Sequence, residues 1–418
     1  MGRVLFRSGV LMLSPPADST SYISRELLLK LLLPLLGLIL GLVLAEVLIR
    51  QVRPDIGWRL HRDEYLGWAS EEYFAFDPSS QPAPGVQRLL FLGDSFLAGG
   101  GMTDLDTRFS VLIADQLENV EVATLASGGW GTDQEYLAYL EKGRAWQPDL
   151  VFLCFCPNND IANILSNSHG IATMMKPYFL LGADGAMQLY SPDGQPRALT
   201  DHVAPIKKFR FHSELIDLIR LKLGGIQKRP PPLFDTVDRR YQLFLRDSEP
   251  AAEIYALGSH LSWSPQTGVT HVSAYIGESF ALNTYQWRLL EQIMQRLQAA
   301  ITGQGAQLVV VMLPVSYHPQ DLRFLVGSDL THSFQTPAGP FTFRAAEPTE
   351  RLTDICQRLS VPLFDPTADF QRIVQQNNQV EACWPDPGDR HFSGVGHRIV
   401  ADLLRDFLRE QFPDRFPQ

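Results

Sequence analysis

Five short apolar runs, each stopped by a glycine, a proline or a polar residue, constrain this chain more than any other feature. They are "RLLFLG" at 88–93, "VEVATLA" at 120–126, "PDLVFLCFC" at 148–156, "AQLVVVMLP" at 306–314 and "VPLFD" at 361–365. Runs of this length read as strands, and the third, fully apolar, has the pattern of strands in parallel sheets. Between them lie stretches with helical spacing: "RFSVLIADQLEN", "TDQEYLAYLEKGRAW" and "NTYQWRLLEQIMQRLQAAITGQG", with "RIVADLLRDFLREQF" near the end of the chain. Strands alternating with helices imply right-handed crossovers and a sheet covered on both sides, an α/β fold with five parallel strands. No internal repeat is visible.

Leu27–Ile49, "LLLKLLLPLLGLILGLVLAEVLI", is interrupted only by Lys30 and Glu46. Its uncharged centre is short for a full span, but charged heads near both ends can reach the interfaces while the segment crosses. We expect a transmembrane anchor at 27–49 behind a tail at 1–26. A cleaved signal peptide would want a small-x-small site, which "AEVLIR" does not offer. Arginines and lysines flank both ends, so charge does not fix orientation. Residues 50–86, ending in "DPSSQPAPG", read as an irregular connector, with ordered structure resuming near Val86. The remainder, 87–418, reads as one large domain with a cap-like insertion at about 165–285, where one amphipathic helix, "HSELIDLIRLKLGG", stands out. Added loops of this kind are where substrate choice lives.

With 418 residues the chain can bury a large core. Its formal charge of -10 and lack of a Lys/Arg cluster argue against nucleic acid as a partner. Four cysteines in this length make no disulfide framework, and no CxxC pair suggests zinc. Cys154 and Cys156 read as buried thiols, and a Cys356–Cys383 bridge has no support.

Ligands of open parallel sheets bind beyond the carboxyl ends of the strands. Here each end carries polar residues: Gly93-Asp94-Ser95 after the first strand, "ASGGWGTDQ" after the second, Pro157-Asn158-Asn159-Asp160 after the third, and "PGDRHFSGVGHRIVA" before the last helix. Singly, Asp-Ser is an ordinary helix cap and Asn-Asn-Asp an ordinary turn. Together they supply a nucleophile, a base, an orienting carboxylate and oxyanion donors at one edge.

In these residues the chain resembles the SGNH, or GDSL-type, serine hydrolases, including their membrane-anchored bacterial members. "GDSF" at 93–96 matches the first block, "GWGTDQ" at 129–134 the second, "NND" at 158–160 the third, and Asp389 with His391 the last. Thr124 stands where the second block begins with asparagine. The last pair is spaced Asp-x-His, with Gly388 at the more usual acid position and Asp386 as a second candidate. The resemblance covers roughly 87–160 and 300–410. It implies a flavodoxin-like three-layer α/β/α fold, Ser95 as nucleophile, His391 as base and Asp389 as its orienting acid. The oxyanion donors would be the N–H groups of Ser95 and Gly129 and the amide of Asn159, with Asn158 an outside candidate. No metal or other cofactor is required.

The expected activity is a serine esterase working through an acyl-serine, on O-acyl, chiefly O-acetyl, groups of a carbohydrate or cell-envelope polymer. An O-acyltransferase would use the same residues, and a binding or assembly protein could keep the fold without turnover. A phosphate-transferring α/β enzyme is disfavoured, since neither an Asp-x-Asp nor a P-loop is present. From the resemblance, the catalytic domain would face the periplasm or exterior. Asp94 is expected to shape its turn, and His397 to cap or pack. "GESF" at 277–280 imitates the first block but follows no apolar strand. Asp133, Gln134 and Trp130 could touch substrate or serve the structure alone, and the other histidines show no partner at useful spacing.

Overall fold

The computed structural model describes residues 25–52, 60–102, 104–157, 159–165, 175–182, 184–192, 194–199, 273–275, 277, 281–314, 331–336, 339–384 and 391–417. Contacts divide the chain into two units, one containing residues 1–54 and the other most of the remainder.

The first unit is a helix over Arg25–Val52 with Pro34 inside it. From Leu32 to Leu48 its large apolar side chains are exposed, about half or more of each surface facing outward. Side chains are described over only part of this helix, and among the described residues no helix is long and apolar enough to cross a membrane.

In the second unit the chain forms an antiparallel hairpin of β1 (Leu60–Asp63) and β2 (Gly67–Ser70), then β3 (Gln87–Gly93), β4 (Val120–Ala126) and β5 (Leu150–Phe155). An antiparallel meander follows: β6 (Tyr178–Leu181), β7 (Met187–Tyr190) and β8 (Pro196–Arg197). Then come β9 (Gln307–Met312), a hairpin of β10 (Thr331–Thr336) and β11 (Gly339–Arg344), and β12 (Leu363–Phe364). The central sheet is five-stranded and wholly parallel, in the order β12-β9-β5-β3-β4. By chain order of its strands this is the 2-1-3-4-5 arrangement of flavodoxin-like folds.

Side-chain alternation divides the interior into two layers. Leu90, Leu92, Val151, Leu153, Leu308 and Val310 face the helices Thr132–Glu141, Ala281–Thr302 and Glu347–Leu359. Leu89, Phe91, Phe152, Cys154, Val309 and Val311 face Phe109–Gln116, Thr367–Gln376 and Gly394–Gln411. Strands apolar on both faces are what a sheet covered twice requires. All four cysteines are free and buried.

Two expectations need correction. The stretch read as an irregular connector carries the β1–β2 hairpin and a short helix, Glu71–Ala75, whose residues Leu66, Trp68, Ala69 and Tyr73 belong to the core. The local cause is an Asp turn: Asp63 Oδ1 accepts from the N–H groups of Tyr65 and Leu66, at 2.7 Å each, and Gly67 takes a positive φ of 87°. Arg88, fully buried, ties residues 80 and 146 to the far end of β3 through the Ser80 and Trp146 carbonyls. The cap-like insertion, in which only an amphipathic helix stood out, contains the β6–β8 meander, while the "HSELIDLIRLKLGG" segment lies outside the described residues.

Where the meander begins, Lys176 puts its Nζ 2.6 Å from both carboxylate oxygens of Asp133, with both side chains buried. Burial pushes the Asp133 carboxyl up and the Lys176 ammonium down, and each is pulled back by its partner. Removing one member strands the other charge. Lys176→Met is expected to cost about 3–5 kcal/mol in denaturant unfolding, and adding Asp133→Leu should restore most of it.

Candidate active site

Parallel register places three chain departures side by side. Gly93, the last residue of β3, is opposite Ala126 on one side and Cys154 on the other. β3 and β5 flank the point where strand order reverses, the usual ligand crevice of this architecture.

After β3 the chain turns at once into a short helix, Ser95–Ala98, capped by Asp94, whose Oδ1 accepts from the Phe96 N–H at 2.9 Å. A Cβ at Gly93 would lie 2.9 Å from that of Leu97, so glycine is needed for so tight an exit. Ser95 sits in the first position of the helix.

After β4, Ser127 donates to the Gly93 carbonyl at 3.3 Å, and Trp130 N–H closes a turn onto the Ser127 carbonyl at 3.2 Å. Gly129 adopts φ 72° within it, a conformation costly to any residue with a Cβ. The carbonyls of this turn are occupied: Gly128 accepts from Trp68 Nε1 at 2.9 Å, and Asn163 Nδ2 donates to Gly129 and Trp130 at 3.2 and 3.0 Å. Trp130 Nε1 in turn donates to the Trp68 carbonyl at 2.9 Å. Trp130 and Gln134 are fully buried, the latter bonding the Leu66 carbonyl, so with Asp133 they serve the structure.

After β5, Asn159 caps the short helix Asp160–Asn163 and donates its side-chain amide to Asp94 Oδ2. Asp94 therefore orients two segments, which deepens the turn-shaping role expected of it. Among the described residues the N–H groups of Ser95 and Gly129 make no hydrogen bond, leaving two donors beside the Asn159 amide.

His391, in the loop before the last helix, brings Nε2 to 2.8 Å from Ser95 Oγ, its ring resting on Phe96 with centroids 4.7 Å apart. Asp389, Asp386, Gly388 and Asn158 lie outside the described residues, as does Ser279 of the "GESF" decoy. His397 is elsewhere engaged. Its Nδ1 accepts from the Phe109 N–H at 3.3 Å, its ring stacks on Phe109, and burial lowers its pKa to about 3.

Sequence reading missed the supporting residues Trp68, Ser70, Asn163 and Lys176, and gave Asp160 no role of its own. Ser70 donates to the Ala126 carbonyl at 2.7 Å, and Asp160 accepts from Thr132 Oγ1 at 3.1 Å and from Cys156 N–H at 2.5 Å. The alternating "HRDEYLGWAS", with its Asp and Gly turn, was the available signal for the first two.

Among solved structures the chain is similar to the acetyl xylan esterase AlAXEase, at 11% identity over 77% of this chain and 99% of that one, TM-score 0.36. It is similar to a lipase/acylhydrolase from Enterococcus faecalis, at 12% identity over 78% and 97%, TM-score 0.35. Axe2, an acetylxylan esterase from Geobacillus stearothermophilus, was solved as a catalytic mutant and matches at 12% over 79% and 96%, TM-score 0.35. No protein-family model matches the chain, and no curated protein matches it in sequence. At this distance nothing about chemistry or substrate transfers from those neighbours.

His397 yields a pH prediction. Its folded pKa lies below the ordinary 6.5, so the unfolded chain takes up the proton first. Its contribution to stability is complete above about 6.5 and is lost as pH falls towards 3. Melting temperatures measured across that window should fall more steeply for the native chain than for His397→Phe.

Proposed function

We propose that this chain is a serine hydrolase of the SGNH type acting on ester bonds. The observation that carries the reading is the 2.8 Å approach of His391 Nε2 to Ser95 Oγ, across nearly three hundred residues of sequence, at the crevice edge of the sheet. A serine hydroxyl is a weak nucleophile until a base takes its proton, and imidazole titrates near working pH. Ser95 attacks the ester carbonyl as His391 accepts its proton. Asp389 is assigned the orientation of the imidazole and the stabilisation of the imidazolium. The tetrahedral oxyanion takes hydrogen bonds from the Ser95 and Gly129 N–H groups and the Asn159 amide. The alcohol leaves with the His391 proton, and water, deprotonated by His391, attacks the acyl-serine and releases the acid as His391 returns that proton to Ser95 Oγ.

The substrate class we assign is a small O-acyl group, chiefly O-acetyl, on a carbohydrate or cell-envelope polymer. It rests on the resemblance and on the exposed leucines of the N-terminal helix, which suit lipid better than water. The same helix supports single-pass anchoring, and the resemblance, not the helix, supports a catalytic domain on the periplasmic or outer side. A reporter fused after Gln418 should be active only on that side, and activity in the cytoplasm would overturn the orientation.

The chemistry is tested with a fluorophosphonate probe, which should label the native chain and leave Ser95→Ala and His391→Ala unlabelled. Asn159→Ala should lower kcat on p-nitrophenyl acetate by about 10²–10³ with KM little changed. Labelling that survives Ser95→Ala would refute the assignment. Product analysis with glycan acceptors present separates release to water from transfer to a sugar hydroxyl.

A further inference from the structure

Glu135 takes no part in the chemistry above. It lies in the first turn of the helix Thr132–Glu141, fully buried, and neither carboxyl oxygen has a hydrogen-bond partner among the described residues. A carboxylate stripped of water with nothing in return is among the costliest groups a protein can hold, while the neutral acid is far cheaper.

Its neighbours sharpen the case. Asp133 from its own helix, Asp160 from the short helix after β5 and Asp94 from the turn after β3 all act on it, with Lys176 as an opposing charge. The Cys154 thiol of β5 feels it as well. The helix Ala281–Thr302, packed on the same helix, contributes buried Asn283 and Gln286, which do not ionise, and Arg296, which acts on the adjacent Tyr136.

The three aspartates differ from Glu135 in one respect: each accepts hydrogen bonds. Asp94 receives them from Phe96 and Asn159, Asp133 from Lys176 and the Gln134 N–H, and Asp160 from Thr132 and Cys156. Burial pushes these carboxyls up as well, that of Asp160 well above the ordinary range, but on each the hydrogen bonds oppose the rise, and on Glu135 none does. Burial first, and the surrounding aspartates second, push the Glu135 carboxyl well above the ordinary range.

We propose that Glu135 is a positioning residue kept as a neutral carboxylic acid beneath the Ser95–Asn159 edge, where its proton limits the negative potential that the aspartates set against a developing oxyanion. The catalytic consequence rests on the ester-hydrolysis reading; the retained proton does not.

The test compares the full native chain with Glu135→Gln, close in shape and never charged. In infrared spectra at neutral pH the native protein should show the carbonyl band of a protonated carboxylic acid, moved by deuterium and missing from E135Q. In thermal unfolding the two should agree below the ordinary glutamate value of 4.5. Above it E135Q should gain steadily on the native chain, because the unfolded native chain releases a proton that the folded one must keep. With p-nitrophenyl acetate the alkaline limb of kcat/KM should move to higher pH in E135Q.

Absence of the infrared band, or a melting difference that does not vary with pH, overturns the proposal. An unmoved alkaline limb overturns its catalytic part. Should E135Q not fold, Glu135→Met takes its place in the infrared comparison, and a band that persists in it belongs to another acid and overturns the proposal. Should the native chain turn over no ester, the hydrolase reading fails while the infrared and melting results stand.

Discussion

Parallel register is the constraint on which the site depends. Hydrogen bonding between β3, β4 and β5 fixes Gly93, Ala126 and Cys154 at one level, so the residues that follow them must emerge together. None of the three loops has to find the others; the ladder delivers them. The loop before the last helix is then the one segment that tertiary packing alone must bring in. Phe96, Phe370, Trp384 and Phe392 do this by packing a run of aromatic rings around His391 and His397.

Burial sets the terms for the polar residues at the start of the helix Thr132–Glu141. Thr132, Asp133, Gln134 and Glu135 are four successive buried residues, all on one helix turn. A helix start exposes N–H groups that carboxyl and amide side chains can use, so polar residues are tolerated there better than in mid-helix. Three of the four are matched, while Glu135 finds no partner among the described residues. Asp133 is matched by Lys176, Gln134 by the Leu66 carbonyl and Thr132 by Asp160. Stability and site geometry are thus set by the same bonds.

The five apolar runs were enough to read the sheet, because strands buried on both faces are mostly apolar over lengths too short for a helix. The positions of Ser95, Asn159 and His391 were legible for a related reason: a short polar motif at a strand end has few places to go. The hairpin at 60–70 was not legible, since prolines and serines at 78–84 colour the whole stretch as spacer, and the Asp63 turn that orders it is a single local bond pair. Lys176 and Asn163 could not be found at all. Their roles consist of reaching a carboxylate and two carbonyls brought near by the fold, and no spacing in the sequence marks such a partner.

The turn at 127–130 shows how support from outside a site can determine what the site offers. A peptide turn presents carbonyls and N–H groups in equal number, and either could face a substrate. Here Trp68 and Asn163 take the carbonyls of Gly128, Gly129 and Trp130, while the Trp130 N–H is used within the turn. With the acceptors spent and Gly129 held at positive φ, what the turn has left to give is a donor. An oxyanion is stabilised by donors fixed before it forms, since reorienting them during reaction would consume the gain. Trp68 belongs to the hairpin and Asn163 to the helix after β5, so two segments distant in sequence impose that polarity on a glycine-rich turn.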